Sequence, residues 1–317
     1  MLALTSDNAN DLYAATCREV RRHGRPVAPR GHATLEVMGA HLRLTQPRRR
    51  LVDLPPERQL NPAFAVAEAL WILSGSDDPW IFTYNRALEN FADDGRLQGA
   101  YGPRIRRWRD AVDQLAHVRS LLTQDPDSRQ AVVQLYDPAR DTRGYRDVPC
   151  TLNYRFYVRD GRLDMHTSMR SNDVWLGLPY DIFTATVLHE LMAGWVGVDL
   201  GTYHHHVDSL HLYKQHAESA ALIGAKSAPV SPSMSSLTAP ADQLTDFLSA
   251  VVAGKPPTGG AAWRPYAAVL ASYRLWSDGD RPAAREAAEN IEGVLGGALR
   301  RWYEHLSQPS AALGRGR

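Results

Sequence analysis

Between Asp147 and Tyr213 the chain alternates between two hydrophobic periods, and this leaves it few ways to fold. Cys150 to Val158 is rich in aromatic and β-branched residues, as a strand should be. Arg159-Asp160-Gly161 is turn chemistry, and Arg162 to Met169 resumes the strand pattern. After a polar loop comes a long apolar run, Pro179 to Trp195, that predicts a helix. A further strand follows near Gly201 to Tyr213. Cys150, directly after Pro149, stands at the mouth of the first strand. A thiol fixed there is placed to be a nucleophile, although an isolated cysteine is more often a small buried hydrophobe.

Upstream, residues 8 to 23 predict an amphipathic helix stopped at Gly24, and Thr34 to Leu44 alternates around Gly39 as a hairpin would. Asn61-Pro62 is a helix start, with Asn as cap and Pro in the first turn. The helix it opens, Pro62 to Leu73, is apolar almost all round and should be buried. Glu68 lies inside it. A carboxylate there needs a partner or a task, because burying it unpaired costs several kcal/mol. Residues 79–109 read as irregular structure over a cleft, 110–122 as a helix and 127–135 as a strand. A Ser/Pro/Ala-rich stretch at 224–240 precedes a mainly helical last third, clearest at 242–252 and 282–306, with a frayed tail at 314–317.

A formal net charge of +1 over 317 residues argues against a nucleic-acid polymer as partner. No run of about 18 apolar residues exists to span a membrane, and no signal peptide is evident. Cys17 and Cys150 suggest neither a disulfide scaffold nor a zinc site. His204, His205, His206 and His211 crowd one strand, but alternate residues face opposite ways, so no metal cluster is expected of them. A reduced, cytoplasmic protein is the expectation.

The order of motifs is that of a known family. Pro149-Cys150, Phe156-Tyr157-Val158, Arg170-Ser-Asn-Asp-Val-Trp-Leu-Gly-Leu-Pro-Tyr-Asp-Ile182, His211-Leu-Tyr213 and His216 together resemble the folate-dependent thymidylate synthases. The likeness is close from about 127 to 218, traceable from 30 to 110 through Glu68-Ala-Leu-Trp71 and Tyr101-Gly102, and lost after about 225. It implies an α/β (α+β) fold, a large twisted mixed sheet with packed helices. Residues 1–224 would form the catalytic domain, with a divergent helical region, 225–317, packed on it. It also implies a homodimer acting on a pyrimidine nucleoside monophosphate, with 5,10-methylenetetrahydrofolate as one-carbon donor and no metal.

Carried over residue by residue, Cys150 would attack C6 of the pyrimidine, its thiol pKa lowered by nearby arginines. Glu68 would organise proton transfer at C5. Arg170 and Ser171, with Arg30, would hold the phosphate, and Arg129 would reach the phosphate of the neighbouring subunit. His211 and Tyr213 would hold the sugar, Asp173 the pterin, and Tyr101 and Leu88 would line the folate cleft. Asp181 stands where synthases carry an asparagine that reads uracil. A carboxyl that can share a proton accepts from the 4-amino group of cytosine and offers a proton to N3. The resemblance is therefore to the cytidylate (dCMP or CMP) 5-hydroxymethylases. Thr151, Met169, Gln130 and Leu88 also depart from the synthases, and their short C-terminal closing segment has no counterpart here, which points to water addition rather than hydride transfer. A divergent thymidylate synthase, a (d)UMP hydroxymethylase and a catalytically inactive nucleotide-binding homologue are the alternatives.

Overall fold

A seven-stranded mixed sheet runs through the computed structural model, which describes residues 1–255 and 260–308. The strands are β1 (Leu2–Ser6), β2 (Arg25–Val27), β3 (Thr34–Leu44), β4 (Val132–Gln134), β5 (Thr151–Arg159), β6 (Arg162–Asp173) and β7 (Asp199–Tyr213). Their order is β1-β3-β7-β6-β5-β4, with β2 also paired to β3. β1–β3 and β6–β7 are parallel and the other pairs antiparallel. The expected α/β class is what the chain adopts.

The hairpin between β5 and β6 forms where turn chemistry dictates. Asp160 (φ 51°) and Gly161 (φ 71°) supply the two left-handed residues that a tight two-residue turn requires. β6 does not stop at Met169, however. Arg170 to Asp173 remain extended because Ser171, Asn172 and Asp173 pair with Ser209, Leu210 and His211 of β7. The hairpin expected at Gly39 is absent. β3 is one strand, paired with β7 from Thr34 opposite Tyr213 to Leu44 opposite Tyr203, and Gly39 (φ 72°) kinks it without reversing it. β1 went unforeseen because its five residues alternate only weakly; it adds in parallel to residues 40–44.

Helices cover the sheet. α1 (Ala9–His23) starts at Asn8, whose side chain accepts from Asp11 N, and ends at Gly24. α2 (Pro62–Leu73) starts at Asn61, which accepts from Ala63 N and Phe64 N. Then come α3 (Tyr101–Arg106), α4 (Gln114–Gln124), α5 (Pro138–Asp141), α6 (Leu178–Val196), α7 (Ala217–Gly224), α8 (Leu244–Val252), α9 (Arg264–Ser277), α10 (Arg281–Glu289) and α11 (Gly293–Ser307). α2 is apolar all round because α6, α3, α8, α9 and α11 all pack on it. The helix expected over 282–306 breaks after Glu289, and the tail expected at 314–317 lies outside the described residues. Among the described residues no helix is long and apolar enough to cross a membrane.

Residues 225–240 are without regular structure yet are fastened to α6. Glu190, 3% exposed, accepts from Arg48 Nε (2.6 Å), from Arg50 and from Leu237 N (3.1 Å). Burial alone would raise this carboxyl, but Arg50 and Arg48 hold it below the ordinary value. Glu190→Gln strands two arginines and should cost ~3–5 kcal/mol in urea unfolding at pH 7. A depressed carboxyl stabilises above its unfolded pKa and loses that contribution as pH falls through the folded one. The gap between wild type and Glu190→Gln should therefore narrow below about pH 4. A gap independent of pH contradicts the assignment.

The histidine run divides between the two faces of β7. His205 is buried on one face, while His204 and His206 are half-buried on the other. There they meet His41 of β3 and His166 of β6, with His41 Nε2 3.0 Å from His204 Nδ1 and His166 Nδ1 3.0 Å from His206 Nε2. One nitrogen each of His41, His204 and His206 lies within 4.8 Å of the others, a spacing a metal ion could use. The expectation that these histidines cannot cluster considered β7 alone. The partners come from the adjacent strands.

Candidate active site

Strand direction gathers the motif residues at one end of the sheet. β5 is antiparallel to β6, so its start lies beside the end of β6: Thr151 faces Met169, and Arg170 N donates to Cys150 O (2.9 Å). β7 is parallel to β6, which brings His211 level with Asp173. β3 is antiparallel to β7, so the turn before it, carrying Arg30, arrives at the same end. α6 leaves the β6 end directly, placing Asp181 in its first turn. Cys150, Arg170, Ser171, Asp173, Asp181, His211, Tyr213 and Arg30 are thus assembled by topology. Arg129 is not. It precedes β4, where Ala131 O accepts from Phe156 N, which puts it level with the far end of β5. Eight residues of strand at about 3.3 Å each separate that level from Cys150, roughly 26 Å.

Arg170 clasps the loop that bears the thiol. Its Nε donates to Pro149 O (2.9 Å), its Nη2 to Val148 O (3.0 Å), and the same Nη2 lies 3.6 Å from Cys150 Sγ. Burial pushes the half-buried thiol above its ordinary value; Arg170 pulls it down, Asp181 and Asp147 push it up, and Arg30 lowers it slightly. The expected net lowering by arginines is therefore corrected: desolvation outweighs them in the free protein. Thr151 N donates to Tyr101 Oη (3.1 Å), so Tyr101 flanks the thiol.

Asp181, which acts on the thiol, acts in turn on a second carboxyl, Glu68. Glu68 is the one residue of α2 that is half-buried, the rest being fully buried. Burial first and the charge of Asp181 second push Glu68 up to about 8. Asp181 is itself pushed up to about 7 by burial and by Asp173, against the Asn172 amide, whose Nδ2 donates to Asp181 Oδ2 (2.8 Å). Near neutral pH each of the two can therefore hold a proton, as acid–base chemistry at carbon requires. Asp173 Oδ1 accepts from Trp175 N (2.6 Å) and Leu176 N (2.7 Å), while its Oδ2 is buried without a partner among the described residues. Ser171 Oγ is 3.4 Å from His211 Nδ1, and the His211 and Tyr213 rings meet edge to face at 5.5 Å. Leu88 lies half-buried in the turn Arg86–Phe91, against the core.

The thymidylate synthase family profile matches residues 11–250. The chain belongs to the thymidylate synthase family. Among its relatives are two proteins named deoxyuridylate hydroxymethyltransferase. That of Bacillus phage SP01 is 36% identical over 227 residues, covering 67% of this chain and 59% of the phage protein. That of Pseudomonas phage M6 is 35% identical over 166 residues, covering 50% and 46%. The chain thus spans about half the length of the curated relatives it matches.

For a member of the thymidylate synthase family, two groups beside the motif escaped the sequence reading. Arg58 donates to Trp175 O (2.9 Å) and lies 5.1 Å from the centre of the Trp175 ring, which also stacks against His216 at 5.4 Å. Asn172 sits within the motif between Ser171 and Asp173, and its contact with Asp181 spans nine positions. No periodicity signals either contact.

Proposed function

We propose that the chain transfers a one-carbon unit from 5,10-methylenetetrahydrofolate to C5 of a pyrimidine nucleoside monophosphate, leaving a hydroxymethyl group. Family membership supports the one-carbon chemistry, and the names of the phage relatives support hydroxymethylation. In this reading Cys150 adds to C6 and makes C5 nucleophilic. The folate supplies carbon at the oxidation level of formaldehyde. Glu68 manages the C5 proton, water supplies the new hydroxyl, and the thiolate is expelled. The net change is nucleotide plus methylenetetrahydrofolate plus water to 5-hydroxymethyl nucleotide plus tetrahydrofolate. Arg170, Ser171 and Arg30 take the phosphate and His211 with Tyr213 the sugar. Tyr101 and Leu88 line the folate cleft, and Asp173, whose buried Oδ2 lacks a donor, accepts from the pterin. A reducing compartment keeps both cysteines free.

The observation that carries the choice of base is Asp181. A carboxyl with its pKa near 7 is available as a neutral acid, and a neutral acid pairs with the N3 and 4-amino edge of cytosine. The preferred substrate is accordingly dCMP or CMP. The names of the relatives favour a second reading, dUMP. Asp181→Asn distinguishes them: the cytosine-to-uracil ratio of kcat/KM should fall by one to two decades, the cost of one mismatched buried polar group. A ratio that stays put removes Asp181 from base reading. Hydroxymethylation leaves the folate unoxidised, so no dihydrofolate absorbance should grow during turnover; its growth would mean methylation. Nucleotide binding without turnover would mark an inactive homologue.

Assembly belongs to the same proposal. Arg129 lies too far from Cys150 to serve its own site, so it would serve the site of a second copy, and residues 225–317 would form an appendage on the catalytic unit formed by 1–224. Mixed Cys150→Ser and Arg129→Ala protomers should then regain about a quarter of wild-type activity, because one site of each mixed dimer is intact. No regain contradicts action in trans.

A further inference from the structure

Behind Asp181 runs a line of buried polar groups that the proposed reaction does not use. Thr167 Oγ1 lies 2.9 Å from Tyr203 Oη, and Tyr203 Oη lies 2.8 Å from His205 Nδ1. His205 Nε2 is 2.8 Å from Asn172 Oδ1, and Asn172 Nδ2 is 2.8 Å from Asp181 Oδ2. The four side chains behind Asp181 come from β6 and β7, and none is more than 3% exposed. Gly177 leaves room for the last contact, since a Cβ there would sit 2.9 Å from Asn172 Nδ2 and 3.2 Å from Asp181 Oδ2.

Polar groups this deeply buried must be satisfied from one end to the other. A neutral imidazole has one donor and one acceptor, so His205 forces a direction on the whole line. Burial, with His206 adding, pushes His205 down to about 3 and keeps the ring neutral. Two arrangements are self-consistent. In one, Tyr203 donates to His205 Nδ1, His205 Nε2 donates to Asn172 Oδ1, and Asn172 Nδ2 donates to Asp181 Oδ2. In the other, His205 Nδ1 donates to Tyr203, which turns its hydroxyl to Thr167. The Asn172 amide then flips to donate to His205 Nε2, and the Asp181 acid proton sits on Oδ2 and donates to Asn172. The amide orientation in the structure is that of the first, and the Tyr203 hydroxyl, placed to donate to Thr167 Oγ1, completes it by turning to His205 Nδ1.

We propose that His205, acting through Asn172, is a specificity-determining positioning residue that fixes which oxygen of Asp181 carries the acid proton. This rests on the reading of Asp181 as the base-reading group. With Oδ2 engaged by Asn172, the proton is confined to Oδ1, so the carboxyl presents one fixed donor–acceptor order to the base. Cytosine and uracil demand opposite orders. Without His205 the amide is free to turn, and both orders become available.

The test is the affinity of the full-length protein for dCMP and for dUMP, measured by calorimetry without folate, with deoxyribose 5-phosphate as a base-free control. His205→Phe should bring the wild-type ratio of the two affinities about tenfold closer to unity, with the control unchanged. His205→Gln, which keeps a donor and an acceptor, should restore most of the preference. If His205→Phe fails to fold, Tyr203→Phe carries the test, with about a threefold movement in the same direction expected. A folded variant that keeps the wild-type ratio, or weakens both nucleotides equally, overturns the inference alone. A wild-type protein with no preference between the two overturns the reading of Asp181 together with it.

Discussion

Cys150→Ser is expected to lower turnover of every pyrimidine nucleotide by ~10³-fold or more while leaving nucleotide affinity within about threefold. A serine hydroxyl is far less acidic than the thiol, and the Arg170 guanidinium beside it can only donate. The side chains proposed to hold the phosphate and sugar remain, so binding should survive when covalent addition does not. The free thiol should also be sluggish. Burial holds it above the ordinary value despite Arg170, so its alkylation rate should keep rising beyond pH 9. Arg170→Leu removes the largest lowering influence and should move that rise further up. Turnover by Cys150→Ser within tenfold of wild type would remove the thiol from the reaction.

Glu68→Gln should lower kcat by ~10²–10⁴-fold with nucleotide affinity little changed, the range for loss of a positioned acid–base group. A glutamine keeps the shape and a hydrogen-bonding oxygen but cannot take or give a proton, the task proposed for Glu68 at C5. The same substitution has a stability signature. Glu68 in the folded protein stays protonated up to about 8, whereas in the unfolded chain it ionises near 4.5. The folded state therefore holds an extra proton between those values, and stability falls as pH rises through that window. Glutamine has no proton to lose. The melting temperature of Glu68→Gln should gain on wild type between pH 5 and pH 8. A constant difference would place the Glu68 pKa in the ordinary range and deprive it of the proposed task.

The candidate site is legible where it depends on residue order, and illegible where it depends on neighbours from other strands. Pro149-Cys150, the run Arg170 to Asp181, and His211 with Tyr213 stand in the sequence as a motif, and strand direction then brings them to one end of the sheet. Asn61 could be read as a helix cap because capping is local. The kink at Gly39 looked like a reversal because a glycine with positive φ serves both; only pairing with β7 decides. Arg170 to Asp173 read only as the end of a strand, because polar residues pair through the backbone, which the pattern of side chains does not report. The histidine cluster and the line from Thr167 to Asp181 each need partners from separate strands. Arg129 carries an expected role toward a neighbouring subunit, and the pairing of Ala131 with Phe156 puts it level with the far end of β5 from Cys150.

The most direct test of the account is the mass of the product. The purified protein is incubated with methylenetetrahydrofolate and, in turn, dCMP, CMP, dUMP and UMP, and each nucleotide is weighed by mass spectrometry. Addition of one CH₂O unit is expected, fastest on a cytosine nucleotide, with tetrahydrofolate as the spent donor. Addition of CH₂ alone to dUMP, with dihydrofolate formed, would contradict it.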